Sequence, residues 1–103
     1  MPTIYWTDPA IEDLDGIFDF ISLDSPSRAE VLVNQLILKT DRLEDFPLSG
    51  RLVPEFPSTN LRELVFRGYR IPYKIIRADR IDILAVFLGA RDIDKLFDQF
   101  STQ

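Results

Sequence analysis

The hydrophobic period of this 103-residue chain changes once, near residue 61, and that change limits the folds open to it. Before it, core-type positions recur at intervals of three and four. They are Ile11, Leu14, Ile17, Phe18 and Ile21 in a first run, then Ala29, Leu32, Val33, Leu36, Ile37, Thr40 and Leu43 in a second. Such spacing lays one apolar stripe along an α-helix. Each run follows a start signal, Asp8-Pro9 (with Thr7 or Asp8 as cap) and Ser25-Pro26, in which a side-chain oxygen caps the helix and proline fits its first turn. Only a few residues separate the runs, so the two helices are expected to fold back as an antiparallel hairpin. Phe46-Pro47-Leu48-Ser49-Gly50 ends the second helix, and a loop containing Pro54 and Pro57 follows.

After residue 61 the chain turns to β-branched and aromatic runs, Leu61 to Arg67, Tyr69 to Arg77 and Ile81 to Leu88, divided by Gly68 and by Ala78-Asp79-Arg80. The opening Thr3-Ile4-Tyr5-Trp6-Thr7 reads as a further strand. The expected architecture is a single α+β domain over residues 1–103. An antiparallel sheet of three to four strands packs against an N-terminal two-helix hairpin, in the order β-α-α-β-β-β, with a short C-terminal helix over 93–100. The run from Ile81 is apolar on both faces apart from Asp82, which predicts the central strand. Alternation places Tyr69, Ile71, Tyr73 and Ile75 on one face of the middle strand, and Arg70, Pro72, Lys74 and Ile76 on the other. Pro72 cannot donate to a ladder and predicts a bulge or an unpaired stretch. Trp6 is expected under the helix hairpin.

Composition narrows the chemistry. The chain has no cysteine and no histidine, which excludes a thiol nucleophile, a disulfide frame and the commonest neutral-pH acid/base. Carboxylate pairs on the first helix (Asp8/Glu12, Glu12/Asp13, Asp15/Asp19) read as a solvated face, because a hard cation needs roughly 6–8 converging oxygens. No metal and no cofactor are expected. No apolar run approaches the roughly 20 residues of a membrane span, and the N-terminus lacks a signal-peptide pattern, so a soluble cytoplasmic protein is expected.

The net charge of −5 is unevenly spread. Residues 1–60 hold four basic and eleven acidic side chains, whereas 61–80 alone carries Arg62, Arg67, Arg70, Lys74, Arg77 and Arg80 against Glu63 and Asp79. A chain of this net charge repels nucleic acid over most of its surface, but a local basic site is compatible with it. The cations on adjacent strands either converge on the uncovered sheet face, to bind phosphates or acidic side chains, or pair with acidic neighbours.

An ordered set of residues carries a resemblance. Ala10, Asp13-Leu14, Ile17 and Ile21 are followed by Ser25-Pro26 and Ala29, then Leu43, Pro47 and Gly50-Arg51. Leu61-Arg62-Glu63-Leu64, Tyr69-Arg70-Ile71, Tyr73-Lys74-Ile75, Ile83-Leu84, Val86-Phe87 and Arg91 complete it. The whole resembles the RelE/ParE toxin superfamily, from Trp6 to about Arg91. The resemblance implies the toxin of a type II toxin–antitoxin pair, held in a hetero-oligomer by a cognate antitoxin whose disordered segment wraps it.

ParE-like members poison DNA gyrase by binding. RelE-like members cut messenger RNA on the ribosome, which requires a base for the 2′-hydroxyl and cations for the developing phosphorane charge. The helix hairpin, the Pro47-to-Arg51 turn and the missing histidine favour the ParE branch. Both branches are commonly basic, whereas this chain has a pI near 4.6, which weighs more against the ribosome than against gyrase. A non-toxic member that only assembles with its partner is the third alternative. The resemblance points to Arg51, Arg62, Arg70, Lys74 and Arg91 for target binding. Phe97, Phe100, Arg67 and Arg77 are the candidates for antitoxin binding. Tyr69 and Tyr73 are explained by core packing, and a salt bridge from Arg70 to Glu63 stands as an alternative to a functional role.

Overall fold

The computed structural model describes residues 1–89. Strand β1 (Thr3–Trp6) leads into α1 (Asp8–Ser22) and α2 (Pro26–Asp41), and a 3₁₀ turn (Arg42–Glu44) extends the second helix. Five strands follow: β2 (Arg51–Leu52), β3 (Arg62–Phe66), β4 (Tyr69–Arg77), β5 (Arg80–Ile83) and β6 (Phe87–Leu88). Both helices begin at the expected signals. The Thr7 side chain accepts from the Ala10 N–H, that of Ser25 accepts from the Arg28 N–H, and a proline sits in each first turn. Thr7 also donates to the Ile83 carbonyl at 2.8 Å, which ties the start of α1 to the sheet.

The fold class is the expected α+β one, with a larger sheet of six strands in the order β1-β5-β4-β3-β2, where β6 also pairs with β4. Most pairings are antiparallel, but β1 runs parallel to β5, from Thr3 opposite Arg80 to Trp6 opposite Ile83. The β3–β4 hairpin closes through Arg67-Gly68, with φ of 51° and 82°. Positive φ at both positions is the primed turn whose twist matches that of the flanking strands.

The expected strand from Ile81 to Leu88 is corrected: it is two strands, interrupted at Leu84-Ala85-Val86, and β4 rather than this run lies in the middle of the sheet. Pro72 is part of the reason. A residue in an extended strand turns its nitrogen and its carbonyl toward the same neighbour. The Pro72 carbonyl accepts from the Leu84 N–H at 2.9 Å, so its donorless nitrogen faces the interruption and breaks no ladder bond. Across the gap, the Val86 N–H donates to the Asp13 carboxylate on α1 at 3.0 Å, so a buried amide that the ladder leaves unpaired is satisfied from the helix. The register irregularity expected in β4 falls farther along, between Ile75 and Arg77.

The main core lies between the hairpin and the sheet. Ala10, Leu36 and Leu43 meet Ile71, Tyr73, Ile81 and Ile83, and Trp6, Leu14, Ile17 and Leu32 close its margin. The other sheet face carries a second, smaller cluster of Val53, Leu61 and Leu84 with Phe56 packed on it. Thus the segment between β2 and β3 folds back over the face expected to be open. Turn bonds from Phe56 N–H to the Val53 carbonyl and from Thr59 N–H to the Phe56 carbonyl, each 3.1 Å, give it a defined shape.

Candidate functional site

Cross-strand register decides which candidate cations share a face. Glu63 lies opposite both Arg51 and Pro72, Val65 lies opposite Arg70, and Lys74 lies opposite Asp82. These residues point away from the helices. Arg62 is opposite Leu52 and Tyr73 and therefore belongs to the helix-covered face. Its guanidinium donates to the Gly50 carbonyl at 2.7 Å. Arg62 therefore does not join Arg51, Arg70 and Lys74. It holds the turn that precedes β2.

At the centre of the far face is Glu63, whose side chain is 0% exposed. Arg51 Nε donates to its Oε2 at 2.7 Å, and Arg51 Nη2 forms an ion pair with the same oxygen at 2.7 Å. Arg70 Nε donates to its Oε1 at 2.8 Å. The remaining arms of Arg70 reach Glu55 on the covering segment, at 2.8 and 2.6 Å, a bidentate pair that uses the planar fork of the guanidinium. The guanidinium also stacks 5.5 Å from the Phe87 ring centroid, so Arg70 is held on three sides and is buried. The Arg70 hydrogen bonds hold the Glu55 carboxyl below its ordinary value, outweighing the opposing effect of burial. The same bonds, first to Glu55 and then to Glu63, raise the Arg70 guanidinium above its own.

The two arginines and two glutamates cancel in charge. The cationic character left to solvent on this face comes from the half-exposed Arg51 and from the exposed Lys74. Lys74 forms no ion pair among the described residues.

Tyr73 anchors the other end of the site. It is fully buried, its hydroxyl donates to the Pro47 carbonyl at 2.7 Å, and it accepts from the Gly50 N–H at 3.0 Å. Burial raises its phenol above the ordinary value. A Cβ on residue 50 would lie 2.6 Å from Tyr73 Cε1 and 2.7 Å from the Glu63 carbonyl oxygen. Glycine is required there by close approach, and Gly50 in turn presents Arg51 to Glu63. Core packing of Tyr73, expected from its alternation, is thus joined by a hydrogen-bonding role that alternation does not reveal.

The remaining candidates do not converge. Arg67 sits in the β3–β4 turn with its guanidinium 5.5 Å from the Phe66 ring centroid. Arg77, at the far end of β4, pairs with Asp79 at 2.7 Å. Arg91, Phe97 and Phe100 lie outside the described residues, as does the expected C-terminal helix. Glu55 is the site residue that sequence reasoning missed, because nothing in a proline-bounded loop announces a partner on a distant strand. Glu63 was legible in part, as the acidic residue offered to Arg70 for a salt bridge.

The family described as ParE toxin of type II toxin–antitoxin system, parDE, matches residues 4–93. The chain belongs to the ParE toxin family. Among curated relatives of this ParE-family chain, the protein Y4kP of Sinorhizobium fredii is 39% identical over 85 residues, which cover 81% of the chain and 83% of the relative. Toxin RelE2 of Caulobacter vibrioides is 35% identical over 77 residues, covering 75% and 78% respectively. A solved structure titled as a chromosomal ParDE TA system from P. aeruginosa superimposes with a TM-score of 0.69 at 24% identity, over 86% of this chain and 97% of that one. This likeness confirms the fold. The family match ends at residue 93, so residues 94–103 lie beyond it.

Proposed function

We propose that this ParE-family toxin acts by binding DNA gyrase in the bacterial cytoplasm and is neutralised in a hetero-oligomer with a cognate antitoxin. The family match over residues 4–93 carries this reading. The far sheet face supports binding over bond-making. Its arginines are committed to glutamates, the Tyr73 hydroxyl is buried and bonded on both sides, and the chain has no histidine to serve as a base. Arg51 and Lys74 are the cations that this face can offer to a target. No described helix is long and apolar enough to cross a membrane.

The relative bearing the RelE name makes messenger cleavage the second reading. Induction of the chain alone in a bacterial host, with growth, chromosome integrity and messenger stability followed together, separates the two. The proposal expects growth arrest with broken chromosomes and intact messenger, and co-expression of the adjacent-gene antitoxin is expected to restore growth. Arrest with cleaved messenger would replace the gyrase reading with the nuclease one. Folded, soluble protein without arrest would leave an interaction-only member. In the same assay, Lys74→Ala is expected to weaken arrest while leaving the melting temperature within a few degrees, since an exposed charge contributes about 0–1 kcal/mol.

A further inference from the structure

Where β2 ends, the edge of β3 opens into a pocket of about 530 Å³. β2 pairs only with Arg62 and Glu63, so from Leu64 onward this edge has no strand beside it. The Val53 N–H donates to the Leu61 carbonyl at 3.0 Å, which makes Leu61, Glu63 and, by alternation, Val65 the residues that face outward here. Val65 thus turns its N–H toward the pocket that it lines. Three cations from three elements share the lining: Lys39 of α2, Arg42 of the 3₁₀ turn and Arg51 of β2. Neither Lys39 nor Arg42 forms an ion pair among the described residues. Arg51 keeps one guanidinium arm, Nη1, outside its pair with Glu63. The acidic part of the lining is Glu63 alone, whose side chain is fully buried and already held by two arginines. Ser49 brings a hydroxyl, and Phe46, 64% exposed, brings an aromatic ring.

We propose that this pocket binds a mononucleotide, with its phosphate among Lys39, Arg42 and Arg51 and its base against Phe46. Charge is the first argument. Cationic side chains that reach one pocket from three elements offer charge-assisted hydrogen bonds to phosphate oxygens, and the Ser49 hydroxyl and Val65 N–H add neutral donors. The helix dipole favours cations at the C-terminal end of α2, but it does not bring Arg51 to them or leave the β3 edge open. Size is the second argument. The volume falls in the range of about 300–1,000 Å³ usual for small organic ligands, and it exceeds what a bare phosphate would fill. The exposed Phe46 ring supplies a face on which a base can stack. Net charge decides between one nucleotide and a polymer. At −5, the chain repels the phosphates of a strand that runs on past the pocket, whereas a single nucleotide meets only the local cations. The inference stands independently of whether gyrase is the target.

Titration of the full-length chain with AMP at constant ionic strength, followed by NMR at each backbone amide, tests this. Saturable shifts are expected at Ser49, Gly50 and Val65. Adenosine and inorganic phosphate should each bind about tenfold more weakly or worse, because each brings only part of the contacts. Lys39→Gln combined with Arg42→Gln should weaken AMP binding by about tenfold or more, through the loss of charge-assisted hydrogen bonds. Phe46→Ala should weaken AMP by about fivefold or more and leave inorganic phosphate unchanged. Arg28→Gln, in the first turn of α2, should change neither. Melting curves ensure that only folded variants are compared. An absence of shifts at these amides up to about 10 mM AMP would overturn the proposal. So would AMP affinity that is unchanged in the Lys39 and Arg42 double variant or in Phe46→Ala, or inorganic phosphate binding as tightly as AMP. A short single-stranded oligonucleotide that shifts the same amides and binds more tightly than AMP would also overturn it, and would assign the pocket to a nucleic-acid strand.

Discussion

Tyr73 and Glu63 show how single side chains can hold together segments far apart in sequence. The Tyr73 hydroxyl spans from β4 to the Pro47–Gly50 turn, satisfying one carbonyl and one N–H at a buried position. Tyr73→Phe keeps the packing but orphans the Pro47 carbonyl and the Gly50 N–H. It is expected to destabilise the fold by about 1–3 kcal/mol in denaturant unfolding. Glu63 presents the opposite case, a buried charge with two cationic partners. Glu63→Ala leaves Arg70 buried with one partner lost and is expected to cost about 3–5 kcal/mol. Replacing Glu63 and Arg70 together by apolar residues should recover a good part of that loss, because a buried ion pair is expensive to break but contributes little net stability. If the double variant were as unstable as Glu63→Ala, charge burial would not be the cause. Much at this scale was legible from alternation, which places Tyr73 with the core and Arg70 on the opposite face. Arg62 shows the limit of reading cations by type, since its register with Tyr73 puts it on the helix side although it neighbours Glu63 in sequence.

The elements that were plain in the sequence are those whose signals are local. Both helices carry a cap, a proline and a three-and-four repeat within a few residues of one another, and both form where these signals stand. The interruption between β5 and β6 has no such mark, because Leu84-Ala85-Val86 contains neither glycine nor proline. Its causes lie elsewhere, in Pro72 on β4 and Asp13 on α1, and only the folded chain brings them together. Asp13→Ala removes the acceptor for the Val86 N–H and is expected to cost about 1–3 kcal/mol, with faster amide exchange at Val86 as the local readout. Unchanged exchange at that amide would show that the helix does not hold the gap. The turn before β2 offers a second element-scale prediction. Gly50→Ala must displace Tyr73 or the Glu63 backbone and is expected to destabilise by about 1–3 kcal/mol, although the position lies in a loop.

For the molecule as a whole, the charge network gives stability a defined pH dependence. The folded-state value of Glu55 is depressed by Arg70. Its contribution is therefore full above the ordinary value of 4.5 and fades as pH falls through the lower folded value. Tyr73 acts in the other direction. Its raised phenol keeps its contribution below pH 10.0, and stability is lost as pH rises beyond that. Melting temperatures measured across pH should hold a plateau between these limits, and Glu55→Gln should flatten the acid limb. An acid limb unchanged in that variant would place the sensitivity in other carboxylates.

The parallel pairing of β1 with β5 has a bearing on how such a toxin comes into being. Residues 3–6 are made well before their partner, residues 80–83. Until then the N-terminal strand has one flank unclaimed, and the helix it leads into lacks the Ile83 carbonyl to which Thr7 is fastened. Contacts so distant in sequence must wait for closure of a long loop. A nascent molecule therefore lacks its finished sheet, and with it the ordered surface around Glu63, until residues 80–83 have been made. Translation itself acts as a delay on the assembly of the protein, and a chain stopped before residue 80 cannot complete it.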